Sequence, residues 1–174
     1  MIGSMIYLTS SRPNIMLAVG LVARYAAPKQ NHLMAIKRIF RYLQGTTHYG
    51  LWYPKGKDFT LTTYTDADWA SCVDDRKSTS GGAFYLGKIL VAWLSKKQTS
   101  ISLSTAEAEY IAAAACCTQM MWMKHTLQDM KVSIDEPISI KCDNTSAISI
   151  SKNPILHSKT KHIQIGRASC RERV

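Results

Sequence analysis

TDADW, at residues 65–69, is the first of three short acidic segments that organise the chain. The second is STAEAEY at residues 104–110, and the third is KCDN at residues 141–144. Strand-forming residues precede the first and third segments, and the second opens an Ala-rich run with high helix propensity. Because neighbouring strands can bring their carboxyl ends to one edge of a sheet, we expect the acids of these segments to lie close together.

Four strands are predicted around these segments. The residues just before TDADW are rich in strand formers, and a polar loop is expected at 74–81. Gly87-Lys88 is typical of a short hairpin turn between two further strands. The predicted strands cover residues 59–65, 83–86, 89–94 and 138–142.

Ser104 begins the longest predicted helix, which runs to Met130. Ser104 and Glu107 have the spacing of a capping box, in which each side chain accepts a hydrogen bond from the other residue's backbone N–H. Asp143 or Asn144 can cap a further short helix. With the strands, this order predicts an α/β fold in which helices pack on a mixed sheet.

The first 52 residues lack a strand pattern and predict a helical appendage. Pro13 opens one helix, and Pro28 separates it from a second helix, at 32–43, which Gly45 is expected to stop. Residues 54–57, Pro-Lys-Gly-Lys, predict a turn and the boundary between two domains. The apolar stripe expected on the second helix comprises Leu33, Ile36, Ile39, Phe40 and Leu43.

Composition limits the class of protein. The 174 residues are 46% apolar, which is sufficient for a globular core. No apolar run reaches the length of a membrane span, and the N-terminus lacks the basic-then-apolar pattern of a secretory signal. The five cysteines include no CxxC pair, and one is left over from any pairing. We therefore expect a reducing, intracellular environment.

The net charge of +10 is concentrated in the N-terminal third. Residues 1–58 hold eight Lys or Arg against one acid, residues 59–165 eleven against ten, and residues 166–174 three against one. A basic flank beside an acidic site suits a polyanion that approaches through bound cations. A solvated basic helix face would give the same pattern, and charge alone does not separate the two.

Each acid taken singly has an ordinary structural explanation. Asp66 and Asp68 follow a predicted strand, where turns favour Asp, while Glu107 and Asp143 fit helix caps. Taken together, Asp66 closes the first strand, Asp143 closes the fourth, and Glu109 lies in the first two turns of the helix between them. Three carboxylates that meet need a cation to stay ionised. Ligation by carboxylates alone predicts Mg²⁺ or Mn²⁺, and two such ions suit phosphodiester hydrolysis.

Several motifs in one order resemble the ribonuclease H domain of copia-type LTR retrotransposons. The N-terminal IGSMIYLT at 2–9 with Arg12-Pro13, and YLQGT at 42–46, resemble the end of the reverse transcriptase that precedes it. The ribonuclease H-like motifs are YTDADWA at 64–70, DRKSTSG at 75–81, WLSKKQ at 93–98, STAEAEY at 104–110, CDN at 142–144 and HSKTKHI at 157–163.

The resemblance implies a ribonuclease H-like fold that cuts the RNA strand of an RNA–DNA hybrid with two Mg²⁺ or Mn²⁺ ions. It implies Asp66, Glu109 and Asp143 as the catalytic, metal-binding acids. Glu109 matches the family's acid, and Glu107 does not, because Tyr110-Ile111-Ala112 follows as in the family. Hybrid recognition would rest on backbone shape and the 2′-OH. Further implied residues are Asp68, which would support the ligands, and the candidate phosphate contacts Lys77, Lys96 and Lys97.

The resemblance also divides the chain. Residues 1–57 would be a helical remnant of the reverse transcriptase C-terminus, similar to a thumb or connection, and residues 58–165 an incomplete ribonuclease H-like domain. The family continues with a strand and a last helix that carries a fourth acid, so a C-terminal truncation is expected. Residues 166–174 resemble a translated sequencing adapter and are expected to be an artefact. The expected partners are the hybrid and the reverse transcriptase of the same polyprotein, in a cytoplasmic particle or the nucleus and without a membrane.

Two alternatives remain open. The chain could be a non-catalytic nucleic-acid-binding remnant, which would shift a hybrid on a gel and leave it intact. It could also be a degenerate fragment that does not fold alone, in which case the exposed edge of the fourth strand would promote aggregation.

Overall fold

The computed structural model describes residues 1–25, 27, 29–55, 59–134 and 137–153. The chain divides into two compact units, Met1–Pro54 and Lys55–Val174, called here the helical unit and the sheet unit. The division falls within the predicted turn at 54–57, of which Gly56 and Lys57 lie outside the described residues. Within the described ranges, no helix is both long and apolar enough to cross a membrane.

The described part of the helical unit consists of three α-helices and one 3-10 turn. Pro13 occupies the first position of the turn, where its missing N–H is not needed, so the helix predicted from Pro13 begins as 3-10. The last helix ends at Gly45, the predicted stop. In chain order the elements are α1 (Ile2–Thr9), the 3-10 turn (Pro13–Ile15), α2 (Met16–Ala23) and α3 (Gln30–Gly45).

The apolar stripe predicted on α3 is only partly buried. Ile36 and Ile39 belong to the core, but Leu33 and Phe40 are 44% and 46% exposed, so the prediction is wrong for these two residues. Among the described elements, α3 packs mainly against α2, and Leu33 and Phe40 lie outside the core that the helices share. The core of the helical unit comprises Met5, Ile15, Val19, Val22, Ile36 and Ile39.

The sheet unit contains a mixed sheet of four strands in the described residues. Their spatial order is β3-β2-β1-β4, with β1 antiparallel to β2, β2 antiparallel to β3, and β1 parallel to β4. Gly87 has a positive φ of 59° in the turn between β2 and β3, which glycine adopts without strain. The predicted mixed sheet and element order are confirmed. The strands are β1 (Leu61–Asp68), β2 (Thr79–Leu86), β3 (Ile89–Lys97) and β4 (Ser139–Lys141).

Several predicted strand boundaries are wrong, most of all those of β1 and β2, and β3 also continues beyond its predicted end to Lys97. β1 continues to Asp68, so Asp66 lies inside the strand and does not close it. β2 begins at Thr79, inside the predicted polar loop, because Thr79 pairs with Asp68 and Gly81 pairs with Asp66. The two extensions form one longer ladder, whose backbone hydrogen bonds do not depend on side-chain polarity.

Helix α4 (Thr105–Asp129) covers one face of the sheet through β1 and β2. A Cβ atom at Gly82 would lie 2.7 Å from Cys116 Sγ, so the close approach of the helix to β2 requires glycine there. Burying Phe84 completely contributes about 1.5–3 kcal/mol by the hydrophobic effect. The core of the sheet unit comprises Leu61, Phe84, Cys116, Met120, Met123 and Ile134.

Side-chain caps fix the starts of α4 and the following helix, α5 (Thr145–Lys152). Ser104 accepts a hydrogen bond from the Glu107 N–H at 3.3 Å, as the capping box predicts. The reciprocal bond is shifted by one residue, because the Glu107 carboxylate accepts from the Leu103 N–H at 2.7 Å. Asn144, one of the two candidate caps, accepts from the Ala147 N–H at 2.9 Å. The HSKTKHI motif and residues 166–174 lie outside the described residues.

Candidate metal centre

The parallel strands β1 and β4 place two of the predicted acids at the same end of the strand pair. Tyr64 and Lys141 are partners in the ladder. Asp66 lies two residues beyond Tyr64, and Asp143 lies two residues beyond Lys141. Because both strands run in the same direction, the two exposed carboxylates emerge at the carboxyl edge of the same strand pair.

Glu109 reaches this edge from the first turns of α4. It is 6% exposed, and its Oε1 accepts a hydrogen bond from the Ala67 N–H at 3.1 Å. This bond fixes the carboxylate beside the backbone of β1, next to Asp66. Glu107, two residues earlier, is occupied by the cap at Leu103.

Cys142 is a member of this site that sequence reasoning missed. The ligand atoms of Glu109, Cys142 and Asp143 all lie within 4.8 Å of one another, and Cys142 Sγ is 4.0 Å from Glu109 Oε2. The group of possible ligands therefore includes a thiol beside the carboxylates. Strand alternation would place Cys142 and Asp143 on opposite faces, but β4 ends at Lys141, and both side chains can turn to the same side.

The electrostatics of the site disfavour negative charge. Burial raises the pKa of Glu109 above its ordinary value, and the charges of Asp66 and Asp143 raise it further, against the lowering effect of the Ala67 hydrogen bond. Burial also raises the pKa of the Cys142 thiol, with smaller contributions from the neighbouring carboxylates. Within the described ranges, no Lys or Arg forms an ion pair with Asp66, Glu109 or Asp143. A divalent cation would supply the missing positive charge.

The other predicted site residues lie outside this cluster. Asp66 and Asp68 are exposed on β1, and neither is one of the grouped ligands, although Asp66 is close enough to raise the pKa of Glu109. Lys97 is paired with Asp75 at 2.7 Å and lies 3.2 Å from Cys72 Sγ, so its charge is already engaged. Lys96 is exposed, and Lys77 is half-buried in the loop after β1.

The Asp75–Lys97 pair stabilises that loop. The hydrogen bond from Lys97 is the largest of the effects that lower the pKa of Asp75 to about 2. Arg76, between Asp75 and Lys77, has a positive φ of 56°, so the loop turns sharply at this point.

Comparison with known proteins shows extensive similarity to retrotransposon polyproteins. The chain is 41% identical over 165 residues, 94% of its length, to the "Retrovirus-related Pol polyprotein from transposon RE1" of Arabidopsis thaliana. It is 42% identical over 175 residues to the corresponding polyprotein from transposon TNT 1-94 of Nicotiana tabacum. It spans only 11% and 13% of these two relatives.

A shorter relative is named as a secreted effector and not as a polyprotein. The chain is 40% identical over 124 residues to "Secreted RxLR effector protein 161" of Plasmopara viticola, and covers 87% of that protein. No protein-family model matches the chain.

Proposed function

The chain belongs to the family of copia-type retrotransposon Pol polyproteins, and we propose that it carries out metal-dependent hydrolysis of the RNA strand of RNA–DNA hybrids. The observation that supports the proposal is the group of Glu109, Cys142 and Asp143, whose ligand atoms lie within 4.8 Å of one another, with Asp66 close enough to raise the pKa of Glu109. In this proposal, residues 58–165 are the ribonuclease H-like domain, and the helical unit is the end of the preceding reverse transcriptase.

The carboxylates at this edge fit hard divalent cations. Carboxylate oxygens are the ligands that Mg²⁺ and Mn²⁺ prefer. Glu109 supplies a buried carboxylate without a cationic partner in the described part of the chain, which is unfavourable unless an ion binds. Two bound ions would activate a water molecule and stabilise the leaving oxygen of a phosphodiester.

The three carboxylates have different tasks in this proposal. Glu109 is the fixed ligand, because the Ala67 N–H holds one of its oxygens and leaves Oε2 directed toward Cys142. Asp66 and Asp143 are exposed, so they can bind an ion on the side from which a substrate phosphate approaches. Lys96 and Lys77 are candidate phosphate contacts, whereas Lys97 would first have to leave Asp75.

A cleavage assay tests the proposal. The full chain is incubated with a hybrid labelled on its RNA strand, with Mg²⁺ and then with a chelator. Asp143→Asn and Glu109→Gln should each lower the rate by about 100-fold or more, since even partners outside a ligand shell can change metal affinity by 10–100-fold. The matched control is Asp129→Asn, an exposed acid at the end of α4, which should cleave like wild type. Cleavage that survives the chelator, or equal rates in all variants, would contradict the proposal.

The second candidate function is hybrid binding without turnover. It is favoured by the helical unit, where Lys37, Arg38 and Arg41 are exposed on α3 and residues 1–57 contain no acid. Exposed Lys and Arg side chains attract a phosphate backbone independently of the nucleotide sequence. A wild-type chain that shifts the hybrid on a gel and leaves the RNA intact at saturating Mg²⁺ would favour this function.

A further inference from the structure

The thiol of Cys142 lies where a metal ligand would be expected. Its Sγ and the carboxylate oxygens of Glu109 and Asp143 lie within 4.8 Å of one another. A tetrahedral zinc ion has bonds of about 2.3 Å to sulfur and about 2.0–2.2 Å to oxygen, which places the two ligand atoms roughly 3.5 Å apart. The observed 4.0 Å between Cys142 Sγ and Glu109 Oε2 is close to that separation, so a small side-chain movement would complete the contact.

The burial of Glu109 adds to this indication of a ligand. The side chain is more than nine-tenths buried, and only its Oε1 accepts a backbone hydrogen bond. Oε2 accepts the long contact from the Cys142 thiol at 4.0 Å, and the Asp66 carboxyl is close enough to hydrogen-bond to Glu109 and to raise its pKa. Among the described residues no cationic side chain pairs with this acid group, so a cation between Glu109 and Cys142 would be favourable.

Cys142 differs in its surroundings from the other described cysteines. Cys72 contacts the Lys97 ammonium, and Cys116 is buried against Gly81 and Gly82 of β2. Cys142 alone among the cysteines within the described ranges joins a group of carboxylates that could hold an ion. A thiolate in such a group adds affinity for zinc but not for magnesium, which prefers oxygen.

We propose that this centre is also a Zn²⁺ site, formed by Glu109, Cys142 and Asp143, and that Zn²⁺ excludes the hard ions from the same carboxylates. Cys142 binds as the thiolate, and its proton is released to solvent. The proposal of the zinc site depends only on the positions of its three ligands. Its inhibitory consequence, regulation of hybrid cleavage by zinc, rests on the function proposed above.

Metal–thiolate spectroscopy tests the site without any activity measurement. Co²⁺ is added to the full chain as a probe of tetrahedral zinc sites, and the cobalt–thiolate charge-transfer absorption is recorded. Wild type and the matched control Cys117→Ser, a half-buried cysteine on α4, should show the band, and Cys142→Ser should lose it. A band of equal intensity in Cys142→Ser would overturn the proposal.

If Cys142→Ser does not fold, alkylation of the wild-type chain provides a second test of the zinc site. The modified cysteines are identified by mass spectrometry of peptides. Zn²⁺, but not Mg²⁺, should slow alkylation of Cys142 about tenfold or more relative to Cys72, because a bound thiolate is withdrawn from reaction. Equal modification of Cys142 with and without Zn²⁺ would overturn the proposal.

Competition then separates this inference from the proposed function. Zn²⁺ is titrated into the Mg²⁺-supported cleavage reaction, and its half-inhibitory concentration should rise about tenfold or more in Cys142→Ser but not in Cys117→Ser. Equal inhibition of both variants would overturn the regulatory role. If wild type shows the Cys142-dependent cobalt band yet cleaves no hybrid in Mg²⁺, the hydrolytic function fails and the zinc site stands.

Discussion

The helical unit and the sheet unit place their charges in opposite ways. In the sheet unit, the buried acid Glu109 lies beside two further acids, in an arrangement that is unfavourable without a cation. In the helical unit, Lys37 and Arg41 are exposed on α3, where water solvates them fully. Like charges grouped around a buried carboxylate therefore select the kind of ligand, whereas exposed charges select only its sign.

The cores of the two units also differ in how fully their side chains are buried. Phe84 and Cys116 are fully buried between the sheet and α4. In the helical unit, α1 and α2 have eight residues each, and core residues such as Ile36 and Val22 are 4% and 8% exposed. The sheet unit can therefore hold side chains at fixed distances, which a metal centre requires, whereas the surface of the helical unit combines Lys and Arg with exposed apolar side chains.

The largest effect is expected from opening a cavity in each core. Phe84→Ala should lower the free energy of unfolding of the sheet unit by about 3–5 kcal/mol, because the site has no room to collapse. Ile36→Ala should lower the free energy of unfolding of the helical unit by about 2 kcal/mol, since the half-exposed neighbours of Ile36 can move into the space. Hydrogen exchange resolved by peptides measures each unit separately. Equal losses of protection in the two variants would contradict the difference between the cores.

The next effect concerns binding to nucleic acid. Changing Lys37, Arg38 and Arg41 together to Gln should weaken hybrid binding about tenfold and reduce the salt slope by about one per lost phosphate contact. The measurement is affinity as a function of salt concentration.

The control for this prediction carries the same charge change in the sheet unit. It replaces three exposed lysines, Lys88, Lys131 and Lys152, by Gln. If the control loses as much affinity as the α3 variant, binding follows net charge and not the basic surface of the helical unit.

A smaller effect is expected at the start of α5. Asn144→Ala removes the acceptor for the Ala147 N–H and should destabilise the sheet unit by about 1 kcal/mol. Asn144→Ser retains a capping oxygen and should recover most of the stability. Urea denaturation followed by circular dichroism compares the two variants, and identical midpoints would show that the cap does not contribute to the stability of the sheet unit.

The smallest effect is expected at the surface pair of Asp75 and Lys97. The pKa of Asp75 is about 2, below its ordinary 3.8, so the pair stabilises the fold above pH 3.8 and this stabilisation is lost as the pH falls toward 2. The melting temperature of Asp75→Asn should therefore lie slightly below that of wild type at neutral pH, and the two should converge in acid. A difference that persists at pH 2 would show that Asp75 acts through something other than its charge.

The order of elements could be predicted from the sequence because its signals are local. Gly87-Lys88, the Ala-rich run after Ser104 and the Asn144 cap each act within a few residues. The three acids could be related to one another because strand ends and a helix start follow directly from those elements.

The remaining features depend on contacts that are distant in sequence. β2 begins at Thr79 only because Asp68 lies opposite, and a polar composition gives no sign of that pairing. Cys142 joins the acids because β4 stops at Lys141, one residue earlier than predicted. The exposure of Leu33 and Phe40 likewise depends on which side chains of α3 the other helices cover.

Direct binding of a divalent ion tests whether the acids around Glu109 form a metal centre. Free Mn²⁺ is measured by electron paramagnetic resonance as it is titrated with the full chain, and Mg²⁺ is then added to displace it. Wild type and Asp129→Asn should bind Mn²⁺ and release it to Mg²⁺, and Glu109→Gln should bind at least about tenfold more weakly. If Glu109→Gln binds Mn²⁺ as tightly as wild type, the ion binds elsewhere and the account of this centre is wrong.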